Sequence, residues 1–378
     1  MNSLFNAFLI LIVCGFFIFP QNLLAQEERV IMHQGTERSF IHYTPTDYQP
    51  DSTYPLVLIL HGFTQNANQI MDYSAFNDLA EDEDFIAVYP NGVNNAWNTQ
   101  SGFPGGSTAP DVDFLADLID FIVDEQSIDP QRVFACGFSA GGFMSYLLAC
   151  QLQDRLAAVA SVAGTYSRTA LNGCQPDRPF PVLHIHGTDD IIVPADGSLA
   201  NIPVAETIEF WRNQNGCSSN PQVSERTDQA GDGTRIEQLD YIDCEVSTAI
   251  QYLRVINGGH TWPGAPAGSG LGVTTQNLDA SVAIWDFFSQ FEKPVSTHSF
   301  HTSIDPLQVF PNPAHHQIEV QIPQNASSTF FKIYQINGRE VIQGPINHTN
   351  FKIDISQWPS GLYWIQLDGR PAIPWIKS

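Results

Sequence analysis

Three short stretches of this sequence carry residues able to perform nucleophilic chemistry together. The first is Gly137-Phe138-Ser139-Ala140-Gly141, preceded by the β-rich run Val133-Phe134-Ala135-Cys136 and followed by Phe143-Met144-Ser145-Tyr146-Leu147-Leu148-Ala149 at helical apolar spacing. Glycines on either side carry no Cβ, so a strand can turn sharply into a helix and lift the Ser139 hydroxyl onto the tip of the turn. A serine alone is a weak nucleophile. It needs a base, and the base needs a carboxylate to hold its tautomer and stabilise the imidazolium. The run His186-Gly187-Thr188-Asp189-Asp190-Ile191-Ile192-Val193-Pro194 offers the acid. Neighbouring side chains of an extended segment point different ways, so only one of the two aspartates can address the base. Asp190 is preferred to Asp189 because it directly precedes the apolar Ile-Ile-Val-Pro stretch that would seat it. Gly258-Gly259-His260-Thr261-Trp262 supplies the base, His260, on a glycine-flanked loop. Charge developing on a carbonyl oxygen needs fixed donors. The N–H of Ala140 is one, and Phe63 or Thr64, after Gly62, supplies the second. Such a set performs acyl transfer to water through a serine acyl-enzyme.

Eight further histidines fit other roles. His61, His184 and His186 read as satisfied structural side chains, and His298, His301, His315, His316 and His348 fall too late in the chain to join the set. No His, Cys or carboxylate cluster has metal-ligand spacing, so no catalytic metal and no cofactor are expected. Trp97, Phe103 and Trp262, with Phe63, are candidates to line an aromatic substrate pocket.

The elements needed to position these groups follow from periodicity. Residues 29–43 alternate as a first pair of strands, and residues 56–60 and 85–89 are continuous apolar runs of strand length, the mark of strands covered on both faces. A helix is predicted through 68–82 and another over 112–128, ending before Asp129-Pro130 and the strand that feeds Ser139. Residues 156–162, 182–185 and 250–255 read as strands, and 204–213 and 278–291 as helices. This alternation predicts a mostly parallel sheet with helices on both faces, which binds ligands at the carboxyl ends of its strands. Residues 94–110 are turn formers plus Trp97 and Phe103, in the manner of a binding loop. After residue 291 the character changes to a polar linker, 293–305, and then to short strands with turns, including Asn337-Gly338. That pattern predicts a small all-β sandwich over 306–378.

Composition narrows the partners. The 378 residues include 16 Lys and Arg against 40 Asp and Glu, a formal charge of -24 that repels phosphate backbones and anionic lipids. Nucleic acid is thereby excluded. Residues 4–19 form an apolar run ended by Pro20, and Ala25 offers a small residue for cleavage, so residues 1–25 are expected to be a signal peptide and the protein to be secreted. Cys14 leaves with that segment. Cys136, Cys150, Cys174, Cys217 and Cys244 remain in a compartment that permits disulfides. Cys136, on the buried strand before Ser139, is the expected free thiol. Pairing in chain order joins Cys150 to Cys174 and Cys217 to Cys244, although connectivity is not fixed by sequence.

Taken together, His61-Gly62-Phe63-Thr64-Gln65, Tyr89-Pro90-Asn91-Gly92 with Trp97, Ile128-Asp129-Pro130-Gln131-Arg132-Val133, Gly137-Phe138-Ser139-Ala140-Gly141-Gly142, Leu148-Ala149-Cys150, His186-Gly187-Thr188-Asp189-Asp190 and Gly259-His260-Thr261-Trp262-Pro263-Gly264 resemble the secreted polyhydroxybutyrate depolymerase and feruloyl esterase family, grouped with carbohydrate esterase family one. The resemblance covers roughly residues 29–292. It implies an α/β-hydrolase fold, a carboxylic-ester hydrolase using Ser139, Asp190 and His260, and both cysteine pairs. Phe63 stands where depolymerase members often have a smaller residue. Substrates implied are aromatic acids esterified to plant polysaccharide, acetyl groups on xylan, or hydroxyalkanoate polyesters. The tail, with Val309-Phe310-Pro311-Asn312-Pro313-Ala314, Asn337-Gly338-Arg339 and Trp358-Pro359-Ser360-Gly361-Leu362-Tyr363, resembles the carboxyl-terminal sorting domain of the type nine secretion system. It implies recognition by outer-membrane secretion machinery and an extracellular or cell-surface location. The expected organisation is thus a leader at 1–25, an esterase domain at 26–292, a linker at 293–305 and a sorting sandwich at 306–378. Two rival functions share parts of this pattern: a serine peptidase of the prolyl-oligopeptidase kind, which usually adds a repeat-built propeller absent here, and an exported binding protein on an inactive hydrolase scaffold.

Overall fold

A computed structural model of the chain describes residues 25–100, 106–245, 248–294, 308–321, 330–335, 339–346, 350–367 and 373–377. Residues 1–24 of the expected leader, Phe103, most of the expected linker and the expected Asn337-Gly338 turn fall outside those residues. The chain divides into two units between Val295 and Ser296.

The first unit is built on a ten-stranded sheet in the order β1-β2-β4-β3-β5-β6-β7-β10-β9-β8. Its strands are β1 (Gln26–His33), β2 (Thr36–Tyr43), β3 (Tyr54–Leu60), β4 (Ile86–Pro90), β5 (Ile128–Phe138), β6 (Ala158–Val162), β7 (Val182–Gly187), β8 (Gln222–Arg226), β9 (Arg235–Tyr241) and β10 (Ile250–Ile256). The six from β4 to β10 in that order run parallel. Antiparallel pairs close both ends, β1 with β2 and β8 with β9.

The apolar runs explain the layers. In β3 every residue is buried, and because side chains alternate, Leu56, Leu58 and Leu60 enter one core while Val57 and Ile59 enter the other. Val133 and Ala135 of β5 join the first core, and Phe134 and Cys136 the second. Three long helices lie on the first face: α3 (Asp111–Glu125), α4 (Ala140–Gln151) and α6 (Val204–Gln214), joined there by Ala170 of a shorter one. Three lie on the second: α1 (Ala67–Ser74), α2 (Phe76–Glu83) and α7 (Ala280–Phe288). A short α5 (Arg168–Gly173) follows β6.

The structure departs from expectation at three places. The single helix predicted over 68–82 is two, because Ala75 sits at φ 52° and closes α1 with its N–H on Met71 O. Continuing one helix would carry Phe76 and Ala80 about 120° around the axis from Ile70 and Ser74; the break returns Ile70, Phe76 and Ala80 to one core. Asp129-Pro130 lies inside the start of β5 rather than before it, in a segment where the register with β3 shifts. The β8–β9 edge was not predicted, since β8 is exposed along its whole length and carries no apolar period.

The second unit has two antiparallel sheets, β11 (Gln308–Phe310), β12 (Gln317–Gln321) and β15 (Asn350–Asp354) in one, and β14 (Glu340–Pro345), β13 (Phe330–Gln335), β16 (Gly361–Leu367) and β17 (Ile373–Lys377) in the other. Ile318, Val320, Ile333, Ile365 and Trp375 share one core.

Candidate active site

β5 lies at the middle of the parallel strands and delivers Ser139 to their carboxyl edge. Ser139 takes φ 53° and ψ -116°, a strained conformation held by its N–H on Val162 O at 2.8 Å. Two glycines make the turn possible: a Cβ on Gly141 would stand 2.1 Å from Leu60 O, and one on Gly137 would stand 2.4 Å from the Gly141 carbonyl carbon.

The neighbouring strands bring the partners. His260 follows β10, which pairs with β7, the strand before Asp190. The imidazole Nδ1 lies 2.7 Å from Asp190 Oδ2 and the Nε2 lies 3.0 Å from Ser139 Oγ. A carboxylate can only accept, so Nδ1–H donates to Asp190 and Nε2 accepts the serine hydroxyl. The His260 loop is held by paired backbone hydrogen bonds with Leu271, His260 N–H to Leu271 O at 2.7 Å and the return at 3.2 Å, and its ring packs on Phe138.

Asp190, not Asp189, meets the base; Asp189 is exposed and accepts from the Thr188 hydroxyl. The reason differs from the one expected. Ile191 is 78% exposed, so the apolar stretch does not seat the acid. Instead, Asp190 Oδ1 accepts from the backbone N–H groups of Ile192 at 2.9 Å and Val193 at 2.8 Å. Burial would raise the Asp190 carboxyl, but hydrogen bonds from His186, His260 and the Val193 amide outweigh it and hold the group well below the usual carboxylate range.

His61 is structural, as expected. Its Nδ1–H donates to Gly62 O and its Nε2 accepts from Gly92 N–H, and burial pushes its pKa down to about 4. It anchors Trp97, whose indole packs against the imidazole at a tilt of 32° and donates to His61 O at 2.8 Å. Thr64 is corrected as an oxyanion donor: its N–H is already engaged by Asn95 O at 2.8 Å. Ala140 opens α4, where first-turn N–H groups have no partner inside the helix.

A cavity of about 350 Å³ opens onto Ser139 and His260, walled by Phe63, Trp97, Phe143, Ile192 and Leu271 among others. Phe63 and Trp97 line it as anticipated, whereas Phe103 lies outside the described residues. Trp262 is corrected. It is 1% exposed, packs on Phe76 and Phe138, and donates its indole N–H to Ser281 Oγ at 3.1 Å, so it belongs to the core. Sequence reasoning missed Tyr73, Phe138, Asn201 and Leu271 as lining residues. Leu271 had a signal, since the turn-rich segment after His260 is too long for a plain connector. Disulfides join Cys150 to Cys174 and Cys217 to Cys244, and Cys136 is buried and free. Among the described residues no three His, Cys, Asp or Glu side chains gather as a metal site, and no helix is long and apolar enough to cross a membrane.

Comparison with known proteins fits this geometry. Residues 39–172 match the family described as esterase PHB depolymerase, and residues 308–372 match the secretion system C-terminal sorting domain. Feruloyl esterase B of Piromyces equi is 29% identical over 272 residues, 68% of this chain and 46% of that protein, so the chain spans just under half of its length. The putative esterase NocK of Nocardia uniformis subsp. tsuyamanensis is 30% identical over 254 residues, 62% of this chain and 74% of that protein. Among solved structures, an acetyl xylan esterase from Aspergillus awamori superimposes with a TM-score of 0.50 at 16% identity, over 70% of this chain and 99% of that one, a likeness of fold. With the Ser139 elbow inside the matched span and the similarity reaching across most of the Nocardia protein, the chain belongs to the polyhydroxybutyrate-depolymerase esterase family of α/β-hydrolases, with a sorting domain at its carboxyl end.

Proposed function

We propose that this chain is an exported carboxylic-ester hydrolase in which Ser139 is the nucleophile, His260 the general base and acid, and Asp190 the carboxylate that orients the imidazole. The observation that carries this is the double contact of His260, 2.7 Å to Asp190 and 3.0 Å to Ser139. Ser139 Oγ attacks the ester carbonyl while its proton passes to His260 Nε2. The N–H groups of Ala140 and Phe63 stabilise the oxyanion, and His260 returns the proton to the departing alcohol. Water then attacks the acyl-enzyme with His260 as base, freeing the acid and restoring Ser139.

Among the described residues, those walling the cavity include no Lys, Arg, Asp or Glu, which favours an uncharged acyl group. The names of the relatives support an ester of plant polysaccharide, feruloyl or acetyl, and the family supports a hydroxyalkanoate polyester as a further substrate. We assign residues 1–25 as leader, 26–292 as esterase domain, 293–305 as linker and 306–378 as the address read by outer-membrane secretion machinery, which delivers the enzyme outside the cell or to its surface. The test compares rates on methyl ferulate, acetylated xylan, hydroxybutyrate oligomers and a dipeptide amide, with Ser139→Ala as control. Hydrolysis of an aryl acetate should vanish in Ser139→Ala; undiminished turnover refutes the assignment.

A further inference from the structure

Behind Asp190 lies a file of buried polar side chains that the acyl-transfer steps do not use. Tyr146, His184 and His186 are all at most 1% exposed. His184 and His186 alternate onto the same face of β7, with ring planes 10° apart. Tyr146 OH lies 2.7 Å from His184 Nδ1, His184 Nε2 lies 3.1 Å from His186 Nδ1, and His186 Nε2 lies 2.8 Å from Val193 O and 3.4 Å from Asp190 Oδ2.

The far end fixes every proton in this file. Val193 O can only accept, so His186 Nε2 carries a hydrogen. In a neutral ring, His186 Nδ1 then accepts, His184 Nε2–H must be its donor, and His184 Nδ1 accepts from Tyr146 O–H. Only this assignment satisfies all contacts without a buried positive charge, and desolvation drives His184 well below its ordinary pKa, toward the neutral form.

We propose that His186, with its tautomer set by the Val193 carbonyl and accommodated by His184 and Tyr146, is a positioning residue that fixes the turn from Asp190 to Val193 and so aims the carboxylate at His260. Val193 is central to that turn, because its N–H holds Asp190 Oδ1 while its carbonyl is held by His186. Oδ1 of Asp190 is thus held by the turn while Oδ2 faces His260 Nδ1. This inference rests on Asp190 acting as the triad acid.

Two measurements on the full chain test it. Nitrogen NMR of the imidazoles, made without substrate, should show His184 and His186 as neutral Nε2–H tautomers; an Nδ1–H tautomer or a doubly protonated ring at either position overturns the proposal, whatever the enzyme hydrolyses. The second compares His186→Leu, which removes the donor, with His186→Gln, whose amide nitrogen can stand in for Nε2. For an aryl acetate, His186→Leu should lower kcat by tens of fold to about 10²-fold with KM within about twofold, and His186→Gln should recover most of the loss. Wild-type kcat in His186→Leu, or equal losses in both variants, overturns it. If His186→Leu does not fold, the tautomer measurement decides alone. Inactivity of wild type on every ester would instead strike the esterase assignment and leave the tautomer result standing.

Discussion

Asp190 is a carboxyl on which burial and hydrogen bonding act in opposite directions, with hydrogen bonding the stronger. Replacing it by Asn keeps the shape but presents an amide where His260 Nδ1–H needs an acceptor. Asp190→Asn should therefore lower kcat/KM on an aryl acetate by about 10³–10⁴-fold. The same depressed pKa sets a pH dependence of stability. Because the folded-state value lies below the unfolded one, the stabilisation is complete above the ordinary carboxyl pKa of about 3.9 and drains away as pH falls toward the folded value. Chemical denaturation should thus show the gap between wild type and Asp190→Asn narrowing from about pH 5 to about pH 2. Trp262 makes the converse case. As a core residue donating to Ser281, it should respond to Trp262→Phe by losing about 1–3 kcal/mol of stability with KM unchanged, as measured by denaturant melts beside initial rates.

Among the elements, the β5 turn into α4 has the least tolerance. Gly141→Ala would drive a methyl into Leu60 O, so it should cost about 1–3 kcal/mol or more and take activity with it, read as a lower melting midpoint. The bridge from the end of α4 to the residue after α5 closes a segment with a sequence separation of 24. Its removal by paired Cys150→Ser and Cys174→Ser should cost about 3 kcal/mol. Much of this architecture was legible beforehand because doubly covered strands write themselves as unbroken apolar runs, as at Leu56 to Leu60. The β8–β9 edge left no such trace, since a strand with an exposed face needs no apolar side chain there. The split at Ala75 was hidden for a related reason: Ile70 and Phe76 each fit a helix, and only the shared core demands a break between them. Ser139, Asp190 and His260 could be picked out because acyl transfer restricts both residue type and order. Trp262 was misassigned because an aromatic beside a catalytic loop has the same sequence signature whether it faces the cavity or the interior.

At the scale of the whole molecule, each unit encloses its own apolar core. Residues 26–295 produced alone should keep kcat/KM on a soluble ester within about twofold of the full chain, because every described residue that lines the cavity belongs to them. A larger loss would give the tail a part in catalysis. One further consequence follows from Cys136, sealed in β5 three residues before Ser139. Once the sheet has closed around it that sulfur is buried, yet in an unfolded chain it can compete with Cys150, Cys174, Cys217 and Cys244 for a bond. Correct pairing therefore depends on a race between strand assembly and oxidation, and a chain that loses it has its central strand tethered in the wrong place. Cys136→Ala would remove the losing outcome altogether.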